Sequence, residues 1–266
     1  MRRGLLLLAS VLLVACGDRE KDHAAPATPP EPEGGGTLSL IVLEDPGLKL
    51  IGPDYADGIG HMGGARFWLD PSPPCRRGPV DYGCYPPADC SFPSTDEAES
   101  ARAGSVTLGT LSYPAPDYQV VGPGMPYEEG ESLQLVVGGD NSGVPAFQAT
   151  LQSPSLVTLI DPAPGALEVA GSNDLEVVWS GNGYGDVLLA LGSIDGPRFY
   201  CRWPSADGAG VVPGELLDTL EPSSDGTSNT ANLQGFADTE VATGGFTFLA
   251  TIQASRNDSG FLIDVR

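Results

Sequence analysis

Imidazole chemistry is the scarcest resource in this chain, which holds two histidines, His23 and His61. His23 lies in a proline-rich leader, so His61, in Gly60-His61-Met62-Gly63, is the one ring available to the folded body. A serine or cysteine nucleophile needs a positioned base, and zinc centres draw on several histidines or cysteines. Neither a two-histidine metal site nor any cofactor is therefore expected. Carboxylates are the opposite case. With 35 Asp and Glu residues, a carboxyl pair for glycoside hydrolysis has ample material, but that chemistry depends on separation in space, and nothing marks a pair. Asp54 to Gly58, Asp207-Gly208 and Ser224-Asp225-Gly226 offer oxygens to calcium. None has the D-x-D-x-D-G spacing of a calcium loop, so turn formation is their reading.

Gly139-Asp140-Asn141-Ser142-Gly143-Val144-Pro145 resembles the Gly-Asp-Ser-Gly-Gly-Pro nucleophile loop of chymotrypsin-like proteases, with Asn141 inserted. The insertion breaks the backbone path that would supply an oxyanion hole, and His61 does not sit in a protease histidine motif. The stretch reads instead as a glycine turn closing the strand Leu133 to Val137. No catalytic residue is assigned.

Four cysteines fall in the body: Cys75, Cys84, Cys90 and Cys201. No C-x-x-C spacing points to metal, and an exported chain favours sulfur–sulfur bonds. Pro71 to Cys90 is rich in proline and poor in core-forming side chains, which predicts at least one bridge inside Cys75 to Cys90. Cys75 is the expected partner of Cys84 or Cys90; Cys84 with Cys90 would need a sharp turn at Pro86-Pro87. Cys201, in Arg198-Phe199-Tyr200-Cys201-Arg202-Trp203, reads as a small buried residue and as the thiol left over if one bridge forms. A cross-link to it would move the staple between lobes.

The fifth cysteine carries a different chemistry. Arg2 and Arg3 precede an apolar run, Leu5 to Val14, that is too short to be a permanent membrane helix. Leu13-Val14-Ala15-Cys16 then matches the bacterial lipobox. The resemblance implies cleavage before Cys16 and acylation of its sulfur and its new amino group, palmitate among the acyl chains. One acyl chain holds reversibly at about 0.8 kcal/mol per buried CH₂, whereas two or more hold firmly. The lipid bilayer is thus the first expected partner. Gly17 stands where an inner-membrane retention signal has Asp, so the outer membrane of a Gram-negative cell is the expected destination.

Removing residues 1–15 takes two of the 13 basic residues and none of the 35 acidic ones, leaving a formal charge of −24 against −22 for the full chain. Such a protein repels phosphate backbones, which argues against nucleic-acid binding. Its 36 glycines and 25 prolines would suggest disorder if apolar residues were scarce, but they make up 41% of the chain in short runs between turns. That distribution points to many short strands.

Residues 16–36 read as a lipidated cysteine and an extended Pro/Gly tether able to reach about 60 Å at about 3.1 Å per residue, ending in a Gly34-Gly35-Gly36 swivel. Residues 37–153 read as an N-terminal β domain carrying the Cys-rich loop, and 154–266 as a C-terminal β-sandwich domain. Strands are expected at Leu38 to Leu43, Ala65 to Leu69, Ser105 to Leu108, Ser132 to Val137 and Phe147 to Leu151. Further strands are expected at Leu156 to Ile160, Leu175 to Trp179, Val187 to Leu191 and Arg198 to Trp203. A C-terminal hairpin is expected from Phe246, Phe248, Ala250 and Ile252, turning at Arg256 to Gly260 and returning through Phe261, Ile263 and Val265. Pro213 to Leu220 reads as one short helix with Leu216, Leu217 and Leu220 on its apolar stripe. The expected fold is all-β, two immunoglobulin-like sandwich lobes.

Ala65-Arg66-Phe67, Ala103 to Thr107, Val144 to Phe147, Leu175 to Gly181, Asp207-Gly208 and Val212 to Leu217 together resemble a loose group of uncharacterised exported lipoproteins of GC-rich Gram-negative genomes. The resemblance implies topology and address and brings no activity with it. The function expected is a non-enzymatic binding or structural role at the cell envelope, with an envelope protein or a glycan as ligand. The alternative is a carbohydrate-active hydrolase using paired carboxylates.

Overall fold

The structure, a computed structural model, describes residues 34–45, 53–55, 57–69, 81–85, 101–141, 143–163, 166–169, 173–192, 198–220, 229–256 and 260–265. The chain is almost all β. Its first half contributes β1 (Gly34–Glu44), β2 (Ile59–Trp68), β3 (Gly83–Tyr85), β4 (Val106–Leu108), β5 (Leu111–Tyr113), β6 (Gln119–Pro123), β7 (Ser132–Val137) and β8 (Phe147–Gln152). The second half contributes β9 (Thr158–Asp161), β10 (Ala166–Val169), β11 (Leu175–Ser180), β12 (Asp186–Gly192), β13 (Arg198–Pro204) and β14 (Ala209–Val212). The helix α1 (Gly214–Leu217), β15 (Asn229–Thr243), β16 (Phe246–Arg256) and β17 (Gly260–Val265) complete the order.

One ten-stranded sheet runs β3-β13-β12-β15-β16-β1-β2-β6, with β17 on β15 and β10 on β17. Two smaller sheets, β5-β4-β7-β8 and β14-β11-β9, each share a core with part of it. Alternation explains the layering. In β7, Leu133, Leu135 and Val137 are buried while Ser132 and Gln134 face out, and Gln134 Nε2 donates to Thr150 Oγ1 of β8 at 2.9 Å. The first core joins Leu38, Leu40 and Val42 of β1 and the even-numbered residues Phe246 to Ala254 of β16 to the four-stranded sheet. Phe248 stacks on Phe67 at 5.4 Å and packs against Phe147 at 5.0 Å. The second core joins β12 and β13 to the three-stranded sheet around the Trp179–Trp203 stack, 5.7 Å between centroids.

The two cores do not divide at 153/154: the first takes Leu156, Ala237 and the even-numbered residues Phe246 to Ala254 as well as the earlier strands, while Val157 belongs to the second. The crossing segment, Ser153 to Val157, is buried. It passes so close to β15 that a Cβ at Gly235 would overlap the Ser155 carbonyl oxygen. β15 belongs to both lobes: Ala231 and Leu233 enter the second core and Ala237 the first. Both cores thus lie against one common sheet.

Several local expectations change. Gly34-Gly35-Gly36 is not a swivel but the start of β1, in register with Phe246 to Phe248 on one side and with Trp68 and Phe67 on the other. The missing side chains make room for rings; a Cβ on Gly35 would lie 2.7 Å from the Trp68 indole, and one on Gly36 2.6 Å from the Phe248 ring. The C-terminal return strand does not fold back on β16. β16 pairs with β15 from Ala254↔Gly235 upward and β17 from Gly260↔Asn232 downward, so β17 continues the course of β16 along the same neighbour. The actual hairpin is β15–β16, closed by Gly244-Gly245, both at positive φ, as a two-residue primed turn requires. The helix forms where expected but is shorter. Pro213 precedes it, Asp174 accepts a bond from the Gly214 N–H at 2.9 Å, and Leu217 and Leu220 are buried.

Candidate functional site

The face of the ten-stranded sheet turned away from both cores is built from the residues alternating with the core positions. Register places them in rows that cross the strands. Leu249, Thr37 and Arg66 form one row, and Thr251, Ser39, Gly64 and Gln119 the next. Ile41, Met62 and Val121 form a third. Side chains directly opposite in a ladder share a face, so the rows describe a trench running across β16, β1, β2 and β6. A groove of about 500 Å³ lies along it, lined by these residues and Asp117. One wall carries Thr37, Arg66 and Asp117 and the other Met62, 54% exposed, and Val121, 68% exposed, while Leu249 and Thr251 at the β16 end are buried. Four strands at about 4.8 Å spacing make the trench about 14 Å long.

Its β6 end is held by an unusual residue. Tyr118, between Asp117 and Gln119, has φ +48° and is buried. A bulky side chain in that backbone region costs about 1–3 kcal/mol and persists only when its surroundings fix it. Here the Ala103 N–H donates to Tyr118 Oη at 2.9 Å, Oη donates to the Gly104 carbonyl at 3.2 Å, and the ring meets Phe67 edge-on. The outcome is a rigid presentation of Asp117 and Gln119 at the groove.

A second polar group lies further along the same face. Arg202 Nε donates to Asp186 Oδ2 at 2.7 Å and Nη2 to Asp238 Oδ1 at 2.9 Å, while its guanidinium sits 5.2 Å from the Phe236 ring centroid. Asp238 is 7% exposed at its side chain and Arg202 12%. Burial works against the Arg202 charge, but Asp238 and Asp186 outweigh it and raise its pKa. Tyr82 Oη donates to Asp186 Oδ1 at 3.2 Å, and the Asp186 charge, with burial behind it, raises the phenol's pKa. Among the described residues Asp186 and Asp238 are two carboxylates bonded to the same guanidinium. Beside them a recess of about 190 Å³ is lined by Arg198, Tyr200, Thr230 and Asn232.

The cysteines correct the part of the disulfide expectation that concerns Cys84 and Cys201; a Cys75–Cys90 pair lies outside the described residues. β3 lies antiparallel on β13 with Cys84 opposite Cys201, and the two are bridged. Cys84 is therefore not a partner of Cys75 or Cys90, and Cys201 is not the leftover thiol. The bond closes a separation of 117 residues and ties the Cys-rich segment to the second core, where Cys201 is buried. Cys16, Cys75, Cys90, Ser142, His23 and the turn at Ser224-Asp225-Gly226 lie outside the described residues. His61 is bound through Nδ1 to the Gly124 carbonyl oxygen at 3.0 Å. Asp140 and Gly143 close the turn after β7, with Asp140 N–H donating to the Val144 carbonyl at 3.0 Å and Gly143 N–H to the Asp140 carbonyl at 3.3 Å. Gly58 and Gly208 take positive φ, as turn glycines do. Among the described residues no three His, Cys, Asp or Glu side chains gather as metal ligands, and no helix is long and apolar enough to cross a membrane.

The groove residues carried no warning as single positions. Arg66, Gly64 and Met62 belong to one strand, Thr37, Ser39 and Ile41 to another, and Gln119 and Val121 to a third; only the register assembles them. A period-two pattern of exposed residues in 62, 64 and 66 was the available signal, masked by two adjacent glycines. No protein family and no curated protein matches the chain.

Proposed function

We propose that this protein is a membrane-anchored envelope lipoprotein with a non-enzymatic binding role, held to the bilayer by acylated Cys16 and destined for the outer membrane. The observation that supports a binding role is the open groove on the outer face of the ten-stranded sheet, with exposed Met62 and Val121 beside polar Arg66, Asp117 and Gln119. The groove sets an apolar wall beside a charged one, the mixed lining by which concave sites hold and orient a ligand. The competing reading, a hydrolase with paired carboxylates, finds its nearest candidates in Asp186 and Asp238, and Arg202 holds both.

Two measurements test the proposal. Cys16→Ser should move the protein from the membrane fraction to the soluble one; retention in the membrane would remove the anchor from the reading. The full chain in detergent, screened on polysaccharide and peptide substrates and on glycan and envelope-protein arrays, should bind without turnover. Turnover abolished by Asp186→Asn or Asp238→Asn in a folded variant would replace the binding role with hydrolysis.

A further inference from the structure

We infer that the outer face of the ten-stranded sheet over β12, β15 and β16 is the docking face of this chain's own proline-rich segment, residues 70–80. The inference is independent of the binding role proposed above.

Burial marks the face. Leu188, Phe236 and Leu249 point away from both cores and belong to neither, yet they are 0%, 0% and 3% exposed. Thr251 and Gln253 beside them are buried too. On an open sheet face, ladder neighbours flank an outward side chain and leave its tip in water. The Arg202 guanidinium sits over the Phe236 ring, but Leu249 has Thr37 and Glu240 beside it in the ladder, which flank it without roofing it. A covering layer therefore lies on this face.

Chain length and end points name the cover. Residues 70–80 lie outside the described residues, but the elements at both their ends are placed. β2, which ends at Trp68, is six strand spacings from β3, which begins at Gly83. Register sets Trp68 level with Ala242 of β15 and Gly83 level with Gln234, eight residues further along. The two ends are thus about 29 Å apart across the sheet and about 27 Å along it, about 40 Å in all. The intervening chain reaches about 46 Å as polyproline helix and at most about 54 Å fully extended. A route behind the smaller sheets adds a layer of about 10 Å at each end and is out of reach, and the space between the sheets is filled by the two cores. The outer face is left. Both ends already lie on it: the Trp68 indole covers Gly35, and Tyr82 Oη reaches Asp186, two strands in from β3.

The chemistry of the segment suits the crossing. β12, β15 and β16 are paired on both sides, so a chain lying across them finds no backbone partners. Pro71, Pro73, Pro74 and Pro79 have no N–H to leave unpaired and hold the chain extended. Arg76 and Arg77 bring positive charge to a face that turns Asp186, Asp238 and Glu240 outward. Residues 86–100 span the same gap on the way back, but they carry Asp89, Asp96, Glu97 and Glu99 and no basic residue, so that face repels them.

Photo-crosslinking of the full chain in detergent tests the assignment. Benzoylphenylalanine is placed at Leu249 and, in a second variant, at Glu240, its exposed neighbour in the same row. After irradiation and tryptic digestion, the joined residue should lie between Asp70 and Arg76 in both. Joining to the leader before Gly34, to residues 86–100, to a second copy or to the sheet's own side chains alone overturns the inference. A second measurement needs no bulky group. Changing Pro71, Pro73, Pro74 and Pro79 together to glycine loosens the segment at unchanged length, and maleimide labelling of Thr251→Cys should then rise at least about tenfold. Labelling that stays the same overturns the inference as well.

Discussion

The outer face of the large sheet has two polar regions that use their charges in opposite ways. Around Arg202 the guanidinium, Asp186, Asp238, Tyr82 and the Phe236 ring satisfy one another in a half-sheltered cluster. Around Gly64 the charged side chains stand apart on an open trench beside exposed Met62 and Val121. The first region has the denser charge and the shifted pKa values, features that commonly point to a functional site. Yet its polar atoms already have partners, which is how a structural ion cluster behaves. The second sets charged side chains beside exposed apolar ones. The difference teaches that a site is better recognised by unmet capacity than by concentrated charge.

The largest expected effect tests the structural half of that contrast. Arg202→Ala removes the guanidinium that bonds both sheltered carboxylates, Asp186 and Asp238. Breaking such a pair from one side costs about 3–5 kcal/mol, so urea unfolding should show a loss of that order. A loss under about 1 kcal/mol would mean that the Arg202 cluster does not hold β12, β13 and β15 together and stands closer to the trench in character.

The disulfide sits at the same end of the sheet. Cys84→Ser should cost about 2–5 kcal/mol by freeing a long loop in the unfolded chain, and non-reducing peptide maps of the wild-type chain should contain a Cys84–Cys201 cross-linked pair. A Cys84–Cys75 or Cys84–Cys90 pair instead would detach β3 from β13 and with it the stapled character of this end. Three-residue β3 has no core of its own to order it, so its place depends on that bond more than on burial.

How much of this was legible follows from the same contrast. β7, β11 and β13 were readable because large apolar residues recur at every second position, and β12 because it is a short continuous apolar run, Val187 to Leu191, bounded by turn residues. β15, the longest strand, was not: its inward residues are Ala231, Leu233, Gly235 and Ala237, and its outward ones include Gln234 and Asp238, so neither row looks apolar. The parallel pairing of β1 with β16 joins positions about two hundred residues apart on the chain, and no local pattern encodes it. The trench inherits that opacity, since it exists only once β16, β1, β2 and β6 are in register. The Cys84–Cys201 bond was hidden for the same reason.

Beneath the trench, Tyr113 offers a smaller and pH-dependent test. Its hydroxyl and that of Tyr127 are buried with no hydrogen-bond partner among the described residues, and burial pushes both phenols well above their ordinary range. Unfolded tyrosines ionise near pH 10. Above that pH the unfolded chain releases protons that the native state keeps, so stability is full below about pH 10 and falls as pH rises. Each tyrosine should contribute about 1.4 kcal/mol of loss per pH unit. Tyr113→Phe should remove its share of that slope and, by deleting an unpartnered buried hydroxyl, add about 1 kcal/mol at neutral pH. A slope unchanged in Tyr113→Phe would show that this hydroxyl is solvated from below the sheet.

The smallest effect is also the sharpest, because it separates two neighbours of identical type. Gly63 and Gly64 are consecutive in β2, and their Cβ positions point to opposite faces of the sheet. On the inner face Gly63→Ala would press against the Ser39 carbonyl oxygen at 2.8 Å and the Tyr113 hydroxyl at 3.0 Å, so β2 or Tyr113 must shift, at about 1–3 kcal/mol. On the outer face Gly64→Ala places a methyl at ordinary contact, 3.7 Å, from the Tyr118 carbonyl oxygen and removes glycine's excess freedom in the unfolded chain, a gain of about 0.5–1 kcal/mol. Chemical denaturation of the two variants side by side should therefore give shifts of opposite sign at unchanged m-value. If both destabilise, Gly64 serves the fold like its neighbour. If Gly64→Ala stabilises while Gly64→Leu keeps the fold, packing on this face of β2 does not require the glycine.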